Sequence, residues 1–267
     1  MPHTARPYLL HEATYRQTRE WQPTLAILPW GATEAHNWHL PHGTDTIEAT
    51  ALAEQAAALA VQSQARCLVL PAIPFGNNNT QLTQTATITM RTRTQLAVLY
   101  DVADSLVKQG IQKLVLLNFH GGNDFKAIIR DVMLDLPIFI VLVQGFQLAA
   151  QDLPAHLSEP RLGHADEFET SLLLHLAPHL VAPLECAGPG TTTPSQLPVL
   201  SSTPGAWYPR DWASLTADTG DGNPKAATAA KGEAILKLMV ERLASLLVEL
   251  AKAEEGSFPY IVRHWHE

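Results

Sequence analysis

Long apolar runs are missing from this sequence. The longest, such as residues 114–117 and 138–143, fall far short of the roughly 20 residues a bilayer-crossing helix needs. Cysteine is scarce: Cys67 and Cys186 lie far apart in 267 residues, match no metal or redox spacing, and read as packing residues. Positive charge is also short, with 18 Lys plus Arg against 26 Asp plus Glu, a formal charge of -8, and no clustered basic patch. Phosphate backbones require such a patch, so a nucleic-acid partner is not expected, nor is a membrane. The opening Met-Pro-His-Thr-Ala-Arg-Pro has no apolar core of the signal-peptide kind, which makes a cytoplasmic, reduced protein the expectation. Charged residues are only 16% and hydrophobic ones 46%, which excludes a disordered chain.

What is present is an alternation of short apolar runs with helical patterns. Residues 25–28 read as a strand stopped by Pro29, 67–70 as a strand ended by Pro71, and 113–117 and 138–143 as two more. Between them, Thr44 or Asp45 caps an Ala-rich helix to about Gln64, a second helix runs 92–109 and closes at Gly110, and a third covers about 125–134. A helix over 166–177, a Pro/Gly/Thr-rich excursion over about 182–224 and a closing helix over about 226–253 complete the chain. The apolar face of that last helix suits core or subunit packing. Strands that are continuous apolar runs belong in a sheet covered on both faces. The predicted fold is a three-layer α/β/α sandwich around a mainly parallel sheet, one domain over residues 1–267. Ligands of such sheets lie at the carboxyl ends of the strands, and two His-rich turns follow strands directly.

The first of these turns runs Gly31-Ala-Thr-Glu-Ala-His-Asn-Trp-His-Leu-Pro-His-Gly-Thr-Asp45. Glu34, His36, His39, His42, Asp45 and Glu48 all carry metal-ligand chemistry within fifteen positions. Glu34 and His36, two apart, face one side of an extended segment. The second turn is Asn118-Phe-His-Gly-Gly-Asn-Asp124, where His120 projects from the sheet edge. Its paired glycines let backbone N–H groups approach a ligand as oxyanion donors, so Gly121, Gly122 and Asn123 are candidate substrate-binding residues. A third cluster, Gly163-His-Ala-Asp-Glu-Phe-Glu-Thr-Ser171, opens a helix. Acidic Asp166 and Glu167 suit its first turn. Glu169, among Phe168, Leu172 and Leu173, is costly to bury unless paired or bound to metal, and His164 stands where a proton-transfer group could reach the crevice.

Together these blocks resemble the creatininase family of creatinine amidohydrolases, with a weaker match at Gly220-Asp-Gly-Asn-Pro-Lys-Ala-Ala-Thr-Ala-Ala-Lys-Gly232; the likeness spans about residues 25–232. The resemblance implies a dinuclear metal hydrolase of a small amide and a homo-oligomer, often a hexamer. It implies that Glu34, Asp45 and His120 hold one divalent ion and that His36 and the bridging Asp45 hold the other. Glu169 is the candidate remaining carboxylate, zinc with manganese or iron the expected pair, and His164 the proton shuttle. Creatininases carry Tyr and Glu just after the histidine matching His120, where this chain has Gly121 and Gly122, as in relatives acting on other amides. Asn37-Trp38 replaces a small pair, and residues 81–87 lack the family's usual His-Phe-Pro-Gly-Thr pattern. The expected substrate is thus a cyclic amide, formamide or peptide-like amide in a pocket unlike that for creatinine. Two other readings stay open: a hydrolase of another ester or phosphate, for which no Arg or Lys clamp is evident, and an inactive binding or assembly protein. Trp207, Tyr208 and Trp212 could line the pocket or pack the excursion down. His175 and His179 read as surface residues, and the terminal His264 and His266 carry no role.

Overall fold

The computed structural model describes residues 6–159 and 161–253; His264 and His266 lie outside them. The strands are β1 (Leu25–Trp30), β2 (Cys67–Val69), β3 (Lys113–Asn118) and β4 (Phe139–Gln144). The helices are α1 (Tyr15–Trp21), α2 (Thr44–Gln62), α3 (Thr92–Lys108), α4 (Phe125–Asp135), α5 (Leu153–His156), α6 (Glu167–Leu176), α7 (Pro198–Ser202), α8 (Trp212–Leu215) and α9 (Ala229–Lys252). The sheet runs β2-β1-β3-β4 and every pairing in it is parallel.

The strands bury alternate side chains in two different cores. Leu25 and Ile27 of β1 and Val115 and Leu117 of β3 face α2, α6 and α9. Ala26, Leu28, Trp30, Leu114 and Leu116 face α3 and α4. Each fully buried Leu or Ile contributes roughly 1.5–3 kcal/mol, which is why strands without polar alternation suit this position. The predicted three-layer sandwich is therefore the observed one. Topology then sets where a site can form. The chain leaves β1 toward β2 and leaves β3 toward β4, in opposite directions, which opens a crevice between the carboxyl ends of β1 and β3.

Several local expectations need correction. Pro29 does not stop β1, because the Pro29 carbonyl faces Ile73, past the end of β2, so the missing N–H lies beyond that ladder. Asp45 is no cap: Gly43 occupies the N-cap position without a side-chain bond, and Asp45 lies in the first turn of α2. The closing helix begins at Ala229, capped by Thr228. Its apolar residues Ile235, Met239, Leu243 and Leu247 are fully buried against α2 and α6, so this face serves the core and not another subunit. Cys67 packs as expected, whereas Cys186 is exposed. Helix α1 was not anticipated, since it has no buried residue and hence no apolar stripe, although the Thr14–Gln17 capping box marks it.

Candidate metal centre

Four elements of the chain meet in the crevice. The loop after β1 supplies Glu34 and His36, the first turn of α2 supplies Asp45, the end of β3 supplies His120, and the first turn of α6 supplies Glu169. Ligand atoms of Glu34, Asp45 and His120 lie within 4.8 Å of one another, as do those of His36, Asp45 and Glu169. Asp45 belongs to both groups because its two oxygens divide: Oδ1 is 2.8 Å from His36 Nε2, and Oδ2 is 3.2 Å from His120 Nδ1. His120 Nδ1 also lies 2.7 Å from Glu34 Oε1. Ligands held about 2.0–2.2 Å from one first-row ion stand about 3 Å apart, the spacing found here.

The outer nitrogen of each histidine is already committed to a backbone carbonyl. His36 Nδ1 lies 3.0 Å from Glu34 O, His120 Nε2 is 3.1 Å from Asn77 O, and His164 Nε2 is 2.8 Å from Ala35 O. A carbonyl only accepts, so these nitrogens carry the N–H and the inner nitrogens present lone pairs to carboxylates. His36 Nε2 and both Asp45 oxygens are buried without a hydrogen-bond partner, their close contacts being misaligned for one. Two facing acceptors need a cation between them, either a proton or a metal ion. This donor set fits divalent metal.

Charge points the same way. Burial is the largest influence on every group and opposes ionisation, yet facing Asp45 holds the His36 imidazolium up at about 10. Glu34 and Asp45 hold His120 well above its ordinary value. Glu34 and Asp45 themselves are lowered by the histidines, burial notwithstanding. Glu169 is pushed up to about 8, first by burial and then by Asp166 and Asp45, which outweigh His36. Without metal, then, the surroundings favour the protonated forms of His36, His120 and Glu169. His164 is held below its ordinary value by burial and by His36, so it is a neutral base. Its Nδ1 is 3.9 Å from Glu34 Oε1, close enough for a ligand grouping with Glu34 and His36 as well.

Other residues of the clusters fall elsewhere. His39 bonds Thr170 Oγ1 at 2.8 Å, and His42 the Thr85 carbonyl at 3.0 Å, away from the centre. Glu48 is buried with neither oxygen bonded, and burial, then Glu169 and Asp45, raise it well above its ordinary value, which keeps it neutral. Asn123 lines the crevice, but its Oδ1 accepts from Gln95 and the Asn77 N–H while its Nδ2 donates to Asn118, so its amide braces the turn. The N–H groups of Gly121 and Gly122 have no partner among the described residues, and both glycines line the cavity. A Cβ on Gly122 would stand 2.4 Å from both Asn77 O and His120 Nε2, whereas one on Gly121 would meet nothing within 4 Å. His175 and His179 are exposed, as expected.

One contributor escaped the sequence reading, and another was noted without its role. Gln81 Nε2 donates to Glu34 Oε2 at 2.5 Å, a role visible only once the 75–81 turn is folded over the first loop. Asn37 takes φ 53°, a left-handed backbone that Asn tolerates better than most residues, and its Oδ1 accepts from the Trp38 and Gly188 N–H groups. Trp212 is buried and stacks edge-on to His164 at 5.0 Å. Trp207 and Tyr208, largely exposed, form the outer wall of a cavity of about 1020 Å³. Arg210 and Lys126 also line it, two cationic side chains where the sequence showed no evident Arg or Lys clamp.

The chain matches the creatininase family model, described as creatinine amidohydrolase, over residues 11–247. It is 32% identical over 239 residues to a mycofactocin precursor peptide peptidase of Mycobacterium tuberculosis, covering 87% of each chain. A Bacteroides fragilis crystal structure given as a candidate creatinine amidohydrolase aligns with a TM-score of 0.85 at 39% identity, over 93% of this chain and 98% of that one. Creatininase structures in a Zn–Zn and a Mn form share the fold at TM-scores of 0.74 and 0.72, with 24% and 23% identity, over 92% of this chain and 99% of each.

Proposed function

This chain belongs to the creatininase family of amidohydrolases, and from that premise we propose that it cleaves the C–N bond of a cyclic, formyl or peptide-like amide with two divalent ions. Glu34, Asp45 and His120 would hold one ion, and His36, Asp45 and Glu169 the other. The observation that carries this reading is Asp45, whose unbonded oxygens face the inner nitrogens of two different histidines. Zinc with manganese or iron is the expected pair, in keeping with the zinc and manganese of the solved creatininases. Such a pair, when bound, supplies hydroxide at neutral pH and polarises the amide carbonyl.

The chain's own groups supply the rest. Gly121 and Gly122 offer two N–H donors, unpaired among the described residues, for the oxygen of the attacked carbonyl, a position where donors strengthen as charge develops. Neutral His164 takes a proton at Nδ1 and delivers it to the departing nitrogen, its ring fixed by the Ala35 carbonyl at one end and Trp212 on one side. Gln81 holds Glu34 in place through its outer oxygen.

Metal content by mass spectrometry tests the proposal together with a panel of lactams, formamides and short peptides. Wild type is expected to hold up to two ions per chain and Asp45→Ala to lose most of both; full retention in that variant contradicts the assignment. An assembly protein without activity need not hold metal and would turn over no amide.

A further inference from the structure

One wall of the cavity carries a guanidinium that takes no part in the chemistry above. Arg161 Nη2 reaches Asp221 Oδ1 at 2.8 Å, and Arg210 Nη1 reaches Asp221 Oδ2 at 3.3 Å. Two permanently charged guanidiniums therefore share one carboxylate, and of the two it is Arg210 that lines the cavity. The bond to Asp221 is the only one its side chain makes among the described residues, so Nε and Nη2 remain open donors. Its side chain is half exposed, at 51%.

The guanidinium is nevertheless held in place. Its carbon lies 4.9 Å from the Trp212 ring, and Trp212 in turn meets the His164 ring at 5.0 Å. A cation stacked on an indole keeps its plane while leaving an edge free for a ligand. Asp221 and His164 also exchange backbone hydrogen bonds of 2.8 and 2.9 Å, so the anchor and the proton-transfer residue are built on one bridge. The two ring distances put the guanidinium within about 10 Å of His164, the span of roughly three extended residues. With glycine at 121, no side chain reaches into the cavity from that position.

We propose that Arg210, on its Trp212 platform, is a specificity-determining residue that binds a carboxylate carried by the amide substrate. A carboxylate matches the free guanidinium edge bidentately. The substrate class is then an acyl amino acid or short peptide with a free carboxylate, cut about two to three residue lengths from it, and not a neutral lactam. This inference rests on the cluster around Asp45 being the hydrolytic centre.

The test is a tryptophan-fluorescence titration of the metal-replete protein with N-acetylglycylglycine and with its C-terminal amide, alongside turnover of both. Wild type is expected to bind the acid roughly 30-fold more tightly than the amide, the advantage of about one charge-assisted pair. Arg210→Ala should lower acid affinity to that of the amide and leave amide affinity unchanged, while Arg210→Lys restores only part of the difference. Equal affinities in wild type, no binding of the acid, or a preference that survives in Arg210→Ala each overturn the inference; in the last case the acid binds at the metal centre instead. Metal-dependent turnover without an Arg210 effect sinks this inference alone. Arg210-dependent binding without any turnover sinks the hydrolytic reading alone.

Discussion

At the scale of single residues, the position between His36 Nε2 and Asp45 Oδ1 takes either a proton or a metal ion. In the metal-free protein His36 is held up at about 10, His120 well above its ordinary value, and Glu169 up at about 8, so all three carry a proton at neutral pH. Ligands bind metal deprotonated, so filling the site at pH 7 should release about three protons per chain. Calorimetry in buffers of different ionisation enthalpy counts them, and release near zero would remove His36 and His120 from the ligand set. The raised values also set the sign of the pH effect: metal affinity should climb as pH rises from 6 toward about 9. His164 separates from the ligands in the same way. His164→Ala should keep its metal and lose turnover by about 100-fold or more, whereas His120→Ala should lose metal first. Equal metal loss in the two would make His164 a ligand. These residues were legible because metal chemistry concentrates donors in short motifs. Gln81 was not, nor was the place of Trp212 against His164, since Glu34 and His164 lie 47 and 48 positions away in sequence, pairings that only tertiary packing makes.

At the scale of elements, the turn after β3 depends on glycine at one position and not at the next. Gly122→Ala forces Cβ against the Asn77 carbonyl that holds His120, and should cost metal affinity about 10-fold or more, as loss of a ligand's supporting partner does. Gly121→Ala, with open space around its Cβ, should retain metal; equal loss in both would make the requirement one of backbone flexibility. Helices α6 and α9 are joined by Lys231 and buried Glu167, which also accepts from the Ser158 and Glu159 N–H groups. Burial opposes the Glu167 charge, but these partners outweigh it and hold the carboxyl below its ordinary value. Its stabilisation is therefore present above the unfolded value near 4.3 and fades as pH falls through the folded one. Glu167→Gln should lower Tm at pH 7, with the gap closing below about pH 4; a gap independent of pH would assign the loss to packing. The strands were readable as apolar runs because both faces of β1, β2 and β3 are buried and those of the edge strand β4 partly so. Pro29 misled because whether a missing N–H matters depends on how far the neighbouring strand β2 extends, which the β1 sequence does not encode.

At the scale of the whole molecule, α9 spends its apolar face inside the chain, and the large apolar side chains left at the surface concentrate on the excursion after α6. Leu197, Val199 and Trp207 are 62%, 76% and 84% exposed. We propose that this excursion, and not α9, contributes to a homo-oligomer. Sedimentation at micromolar concentration should give a mass well above 29.2 kDa, and Val199→Asp should shift it downward; a monomer throughout would count against assembly. The layered arrangement has one more consequence. Donors for metal come from a strand end, two helix starts and one loop locked between two cores, while the outer wall with Trp207, Tyr208 and Arg210 comes from a single separate stretch of chain. Mutation can therefore rewrite that stretch without loosening the metal donors. A lineage built this way can change its diet while inheriting its chemistry intact.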